Sequence, residues 1–232
     1  MKIKIYADGA NYQEIKYYNS LKIISGLTTN PSLMRKSGVN NYTSFAKKVL
    51  KVVKKKSISF EVFADELNEM YDQAKKIASW ANNVFVKIPV MNTKGKSTSR
   101  LIKKLSDEKV KLNITAIFTK KQLIEIHKSL NKKSPAIISI FAGRIADTGR
   151  SPLQIMKFAQ KLFKKNKNHK ILWASTREIL NIFEAEKAGI DIITVPHSLL
   201  KKIKLLKKNL YNYSKETVIE FYNDAKKSRF KL

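Results

Sequence analysis

The chain has no cysteine, which excludes disulfides and thiolate metal sites. Its seven glycines in 232 residues form neither a G-x-G-x-x-G nor a P-loop pattern, so nucleotide enzymes built on such loops are excluded. Only three histidines occur, His127, His169 and His197. None is expected at a strand end beside a matching carboxylate, so no metal centre is expected. No apolar run approaches the ~18 residues needed to span a membrane. The N-terminal Met1-Lys2-Ile3-Lys4-Ile5-Tyr6 is too short in apolar run for a signal peptide. These absences point to a cytoplasmic protein without a membrane segment. Acidic residues are also scarce, 18 against 47 lysines and arginines, for a net charge of +29.

Such a charge suggests a nucleic-acid or anionic-membrane partner. The distribution argues otherwise. Lysines recur in nearly every expected helix, as in Lys47-Lys48, Lys75-Lys76, Lys103-Lys104 and Lys207-Lys208, and are not gathered into one helix or tail. Abundant Lys, Ile and Asn is what AT-rich coding gives. The expectation is a solvated basic surface that steers anionic substrates, without a nucleic-acid partner.

The length suits one domain over 1–232, large enough to bury a core unaided. Short β-branched runs, Ile3–Tyr6, Ile24–Leu27, Ser59–Val62, Val84–Ile88, Lys111–Ile114, Ala136–Ile140, Lys170–Ala174 and Ile192–Val195, alternate with longer stretches that place apolar residues at i, i+3 and i+4. Those stretches include Glu66–Ala81, Ser97–Leu105, Lys120–Ser129, Pro152–Lys165 and Thr176–Ala188. Strand alternating with helix implies parallel strands and right-handed crossovers. Eight such units predict an α/β protein, a single (β/α)8 TIM barrel, with an extra C-terminal helix over Ser214–Lys227.

Chemistry in this architecture sits at the C-terminal ends of the strands. The first strand runs into Asp8, and the second into Thr28-Thr29-Asn30-Pro31-Ser32. The third carries Glu61, the fourth Lys87, and the fifth Asn113 and Thr115. The sixth has Ser139, then Phe141 and Gly143-Arg144, and the seventh ends Ser175-Thr176-Arg177. Seven strands thus send polar groups to one rim. Each has a purely structural alternative. Asn30 and Pro31 make a helix N-cap and first turn. Asp8 begins a turn with Gly9, Ser175 or Thr176 caps a helix, and Glu61 pairs with Arg144. Asn113 and Thr115 satisfy backbone groups.

Lys87 stands apart. It lies in Val84-Phe85-Val86-Lys87-Ile88-Pro89, on the same face as Phe85. A lysine seldom points into an apolar interior without a partner. Burial disfavours the charged form, and a neutral amine attacks carbonyls, so Schiff-base chemistry is one reading. The alternatives are that it snorkels outward or pairs with Glu61 or Asp8.

Together these motifs resemble the transaldolase family, in particular its short-chain branch, which also contains fructose-6-phosphate aldolases. The resemblance runs from Tyr6-Ala7-Asp8 to Thr194-Val195-Pro196. It is carried best by Thr28-Thr29-Asn30-Pro31-Ser32, Val86-Lys87-Ile88-Pro89, Asn113-Ile114-Thr115 and Phe141-Ala142-Gly143-Arg144. It implies Lys87 as the Schiff-base lysine, Asp8 as the acid/base, and Glu61 with Thr115 as the pair that positions a catalytic water. It implies Asn30, Asn113 and Ser139 on the donor hydroxyls, and Arg144, Ser175 and Arg177 at the substrate phosphate. Two positions depart from the family pattern. Ile140 stands where the family has proline, and Thr176 where it has an aromatic residue.

The reaction so implied transfers a dihydroxyacetone unit between sugar phosphates and needs no cofactor. Fructose 6-phosphate or sedoheptulose 7-phosphate would be donor, with erythrose 4-phosphate or glyceraldehyde 3-phosphate as acceptor. The aldolase branch tends to carry Gln at the position of Glu61 and Tyr at that of Phe141, so this chain sides with transfer over release of dihydroxyacetone. A related enzyme of surface-sugar biosynthesis and a catalytically silent, nucleic-acid-binding barrel are the other readings. Short-chain relatives are typically decameric rings, which implies a homo-oligomer here.

Overall fold

The structure is a computed structural model, and it describes residues 2–229. Eight parallel strands close into a barrel in the order β1 to β8. They are β1 Lys4–Asp8, β2 Ile24–Thr28, β3 Ser57–Glu61, β4 Val84–Pro89, β5 Leu112–Ile117, β6 Ala136–Ile140, β7 His169–Trp173 and β8 Ile192–Pro196. The helices are α1 Tyr12–Ser20, α2 Pro31–Lys36, α3 Tyr42–Val52, α4 Leu67–Ala78, α5 Ser99–Asp107 and α6 Lys120–Ser129. They continue with α7 Ala142–Ala146, α8 Leu153–Phe163, α9 Leu180–Lys187, α10 His197–Leu200 and α11 Leu210–Ser228. The expected barrel is borne out, and each expected strand overlaps an observed one.

The chain divides into two compact units, Met1–Leu200 and Lys201–Leu232. The first holds the barrel. The second holds a 3-10 turn over Lys201–Leu205 and α11, the additional C-terminal helix, which buries none of its described residues. Among the described residues no helix is long and apolar enough to cross a membrane.

Alternation along each strand sets the two sides of the barrel wall. In β4, Val84, Val86 and Ile88 are fully buried, as are Ile58 and Phe60 in β3, where they meet the helical layer. The intervening positions line the interior. At mid-barrel that interior is apolar, a cluster of Tyr6, Ile137, Leu172, Ala174 and Ile192 with Phe85 and Phe141 packed against it. Gly26 is required there, because a Cβ would lie 2.5 Å from Tyr6 Cζ. Tyr6 reaches across β2 to take a hydrogen bond from Ser57 Oγ at 2.7 Å. One step toward the C-terminal ends, the same inward positions become polar.

The N-terminal rim is laced by side-chain bonds onto neighbouring loops. Lys56 Nζ donates to Asn19 O and Leu21 O at 2.6 and 2.7 Å. Asn83 Nδ2 donates to Val53 O and Lys56 O, each at 2.8 Å. Lys111 Nζ donates to Asn82 O, and Ser134 Oγ to Ser106 O at 2.6 Å. Asn168 Nδ2 donates to Lys132 O at 2.9 Å, and Gln160 Nε2 to Gly189 O at 3.0 Å. Each bond ties one helix-to-strand connection to its neighbourhood, as expected of a rim whose task is stability.

Candidate active site

Parallel register brings the ionisable groups together. Glu61 on β3 and Lys87 on β4 are register partners, and Lys87 is in turn the partner of Asn113 on β5. Partners in a parallel pair face the same side, so all three side chains enter the barrel mouth. Lys87 is only 7 % exposed. Its Nζ lies 3.0 Å from Glu61 Oε2 and donates to Thr29 O at 3.1 Å. Glu61 therefore pairs with Lys87, not with Arg144 as one structural alternative had it. Lys87 does not snorkel outward.

Two hydrogen-bonded rows flank this pair. On one side Ser139 Oγ donates to Asn113 Oδ1 at 2.7 Å, and Asn113 Nδ2 donates to Ser59 Oγ at 3.0 Å. Asn113 and Ser139 are thus positioned by each other. On the other side Thr28 Oγ1 donates to Asp8 Oδ1 at 2.6 Å and lies 2.5 Å from Thr194 Oγ1. Removal from water raises the Asp8 pKa, against the opposing pull of the Lys87 charge and the Thr28 bond. Thr115 Oγ1, on β5 two residues after Asn113, is buried and, among the described residues, makes no hydrogen bond. Asn30 caps α2, its Oδ1 accepting from Leu33 N at 2.9 Å, with Pro31 in the first turn. That local expectation holds.

The chain matches the model of the "Transaldolase/Fructose-6-phosphate aldolase" family over residues 5–232. It belongs to that family. A "Probable transaldolase" of Nitrosopumilus maritimus is 33% identical over 219 residues, covering 92% of this chain and 94% of the relative. A "Probable transaldolase" of Thermoplasma volcanium is 34% identical, covering 86% of each. At the level of fold alone, the chain is similar to the alpha-subunit of tryptophan synthase from Pyrococcus furiosus. That likeness has a TM-score of 0.60 at 10% identity and covers 96% of this chain and 98% of that one. The chain is thus an enzyme of the transaldolase/aldolase kind.

The rest of the mouth is shaped by backbone fit. Ser175 has φ +64°, the left-handed region. Its carbonyl presses on Gly143, where a Cβ would overlap Ser175 O, so only glycine lets α7 approach the end of β7. The structure corrects the expectation that Ser175 or Thr176 caps the next helix. That helix starts at Leu180 without a side-chain cap. Thr176 Oγ1 instead donates to Thr194 O at 2.7 Å, tying β7 to β8 beyond the end of their ladder. Ile140, at the other departure, is fully buried. Arg144 is exposed, its guanidinium 5.5 Å from the Phe141 ring centroid. Arg177 is held by Asp147, Nε donating to Oδ1 at 3.1 Å and Nη2 to Oδ2. The hydrogen bonding from Arg177, helped by its charge, keeps the Asp147 carboxyl below its ordinary range.

Several residues of the mouth were missed from sequence. Tyr42, at the start of α3, brackets the Glu61 backbone. Its hydroxyl accepts from Glu61 N at 2.8 Å and donates to Glu61 O at 2.7 Å. Burial raises the phenol pKa, which keeps it a donor. His197 follows β8 directly, contrary to the expectation that no histidine sits at a strand end with a partner. Its Nδ1 lies 2.8 Å from Glu14 Oε2, and its ring fills the place of a Gly9 side chain. Gly9 was the available signal, a glycine immediately after a catalytic-end strand where close approach demands one.

Proposed function

We propose that this enzyme is a transaldolase working through a Schiff base on Lys87. The observation that carries the reading is the pair in the mouth, a 7 % exposed lysine with Nζ 3.0 Å from Glu61 Oε2. Lys87 Nζ passes a proton to Glu61 and adds to the C2 carbonyl of a ketose phosphate. Glu61, through a water held by Thr115, returns that proton as the carbinolamine loses water. The orphaned Thr115 hydroxyl supports that role. Asp8 takes the C4 hydroxyl proton, the C3–C4 bond breaks, and its electron pair flows into the iminium. An aldose phosphate leaves and a three-carbon enamine stays on Lys87. The enamine adds to a second aldose phosphate, Asp8 returns the proton, and water releases the new ketose.

Asn30, Asn113 and Ser139 would hold the donor hydroxyls. Arg144, Ser175 and Arg177 would hold the phosphate by charge-assisted bonds, with Asp147 fixing the Arg177 fork. Donor and acceptor are sugar phosphates of the pentose phosphate pathway, fructose 6-phosphate or sedoheptulose 7-phosphate with erythrose 4-phosphate or glyceraldehyde 3-phosphate. No cofactor enters these steps. The carboxylate at Glu61 and the hydroxyl-free Phe141, its ring 5.7 Å from Phe118, favour transfer over protonation and release of dihydroxyacetone.

A cytoplasmic homo-oligomer is the setting we assign. Leu210, Val218 and Phe221 of α11 are 81, 63 and 67 % exposed, and a second copy would cover them. Light scattering on the purified protein reads the oligomer. The chemistry is tested by borohydride reduction with fructose 6-phosphate and peptide mass mapping. A three- or six-carbon adduct on Lys87 is expected, and an unmodified Lys87 during turnover would refute the mechanism. Coupled assays with and without erythrose 4-phosphate separate transfer from release.

A further inference from the structure

Lysines that are scattered in sequence are collected by the fold. A (β/α)8 barrel returns every helix-to-strand connection to one rim. The connections 21–23, 53–56, 108–111, 130–135 and 164–168, with Lys2 ahead of β1, carry twelve lysines. All helix-to-strand connections together carry two carboxylates, Glu108 and Asp191. The strand-to-helix loops at the mouth hold four basic residues, Lys94, Lys96, Arg150 and Arg177, against four acidic ones, Asp65, Glu66, Asp147 and Glu178. The mouth loops are neutral and the opposite loops carry ten net positive charges.

Helix dipoles do not account for this. Seven helices point their C-termini at the basic rim, and at about half a negative charge each they supply roughly −3.5. That leaves most of the lysine charge uncompensated. Lys56 and Lys111 are spent on carbonyls. Lys54, Lys55, Lys132, Lys133, Lys164 and Lys167 are exposed, and no ion pair holds any of them among the described residues. Asn166 and Asn168 both donate to Lys132 O, at 3.2 and 2.9 Å. This locks the pair Lys132-Lys133 beside Lys164–Lys167.

We infer that this rim is a docking face for duplex nucleic acid, bound through its phosphates without reading sequence. A rigid, uncompensated arc of lysines is the electrostatic footprint of backbone binding. Single strands call for exposed aromatic platforms. The one aromatic residue in these connections, Trp80, is engaged with Phe60 at 5.7 Å and Tyr42 at 6.1 Å. A membrane surface is disfavoured because Ile23 is the one large apolar side chain exposed in the same connections. The barrel mouth faces the other way, so a docked enzyme keeps its active site open.

The test is fluorescence anisotropy of a short random-sequence DNA duplex with the full chain over a salt series. Wild type is expected to bind at about 50 mM salt and to lose ~10³-fold or more by about 200 mM. The variant Lys132→Glu/Lys133→Glu/Lys164→Glu/Lys167→Glu should lose binding at least tenfold, and each lysine removed should flatten the log–log salt slope by about one. Its control is Lys16→Glu/Lys47→Glu/Lys121→Glu/Lys157→Glu, four exposed helix lysines with the same total charge change. The control should bind within threefold of wild type. Sugar-phosphate turnover by both variants reports folding, and glutamine replacements at the same four rim sites serve if the glutamates unfold the chain. The inference is overturned if wild type fails to bind duplex at low salt. Equal weakening of both variants, or binding of anionic vesicles in place of duplex, overturns it too.

Discussion

At the C-terminal ends of the strands, polar side chains turn inward and bond to one another. At the N-terminal ends they run along the rim and bond to backbone carbonyls. Glu61, Lys87, Asp8, Thr28, Asn113 and Ser139 form rows in which side chain meets side chain. Asn83, Ser134, Asn168 and Lys56 form links in which side chain meets main chain. The first arrangement holds charges part-desolvated where a substrate can reach them. The second closes the barrel and leaves its remaining charge in water. A substitution at the mouth should therefore act on chemistry more than on stability, and a rim substitution on neither, so long as the lacing bonds survive.

The sharpest contrast comes from Lys87→Met, which keeps the stem and removes the amine. Turnover should fall beyond the ~10²–10⁴-fold that general acid–base help is worth, because no covalent intermediate forms. Melting temperature should fall too, since removing one partner of a buried ion pair leaves the Glu61 carboxylate uncompensated, and it should recover in Lys87→Met/Glu61→Gln, which removes both charges. Residual turnover within tenfold of wild type would end the Schiff-base reading.

Asp8→Asn comes next, at ~10²–10⁴-fold in kcat. The Asp8 pKa is raised by burial. A raised carboxyl stabilises the fold while protonated, fully so below its unfolded value of about 3.9, and loses that contribution as pH climbs through the higher folded value. Asp8→Asn, which keeps the acceptor for Thr28, is therefore expected to melt higher than wild type at neutral pH, with the gain gone below about pH 3.9. The wild-type rate should fall on acidification at a pH above the ordinary aspartate range. Calorimetry and a pH–rate profile check both. A lower melting temperature for the asparagine variant at pH 7 would break the account.

Smaller effects come from the residues that position others. Tyr42→Phe removes both hydrogen bonds to the Glu61 backbone, and a buried N–H left unpaired costs about 1–3 kcal/mol. Its kcat should drop roughly tenfold, the equivalent of about 1.4 kcal/mol, with KM little changed. Gly143→Ala pushes a methyl into the Ser175 carbonyl, and overpacking of that kind costs about 1–3 kcal/mol. It should act on KM for phosphorylated substrates more than on kcat. A reversed split between kcat and KM in the two variants would place Tyr42 and Gly143 at the wrong ends of the site.

What was legible follows from the same comparison. The inward–outward alternation of β3 and β4 is written in S-I-S-F-E and V-F-V-K-I-P, so the barrel was legible, while the entry of Glu61 and Lys87 stood as one reading beside an outward lysine and a Glu61–Arg144 pair. Asn30 at a helix start was legible because capping is local. Tyr42 was not, because nothing near it in sequence marks a partner 19 residues away. The His197–Glu14 contact spans 183 residues and depends on barrel closure between β8 and β1. The basic rim was not legible for a topological reason. Lys22, Lys54-Lys55, Lys132-Lys133 and Lys164-Lys165 look dispersed along the chain, and only the repeated return of the strands to one end makes them neighbours.

The weakest expected effect is on the rim itself. Lys132→Glu/Lys133→Glu/Lys164→Glu/Lys167→Glu leaves the Lys132 carbonyl in place, so the bonds from Asn166 and Asn168 persist. Surface substitutions away from special features usually stay within ±0.5 kcal/mol each, and this one also relieves self-repulsion in a chain of charge +29. Melting temperature should stay level or rise slightly. The mouth lies at the other end of the strands, beyond the ~10 Å over which charges act at 0.1 M salt. Thus kcat and KM for sugar phosphates should remain within twofold at that salt, with any loss in kcat/KM confined to low ionic strength, where the whole field steers anions. A large loss of kcat at 0.1 M salt would mean that the two ends of the barrel are energetically coupled.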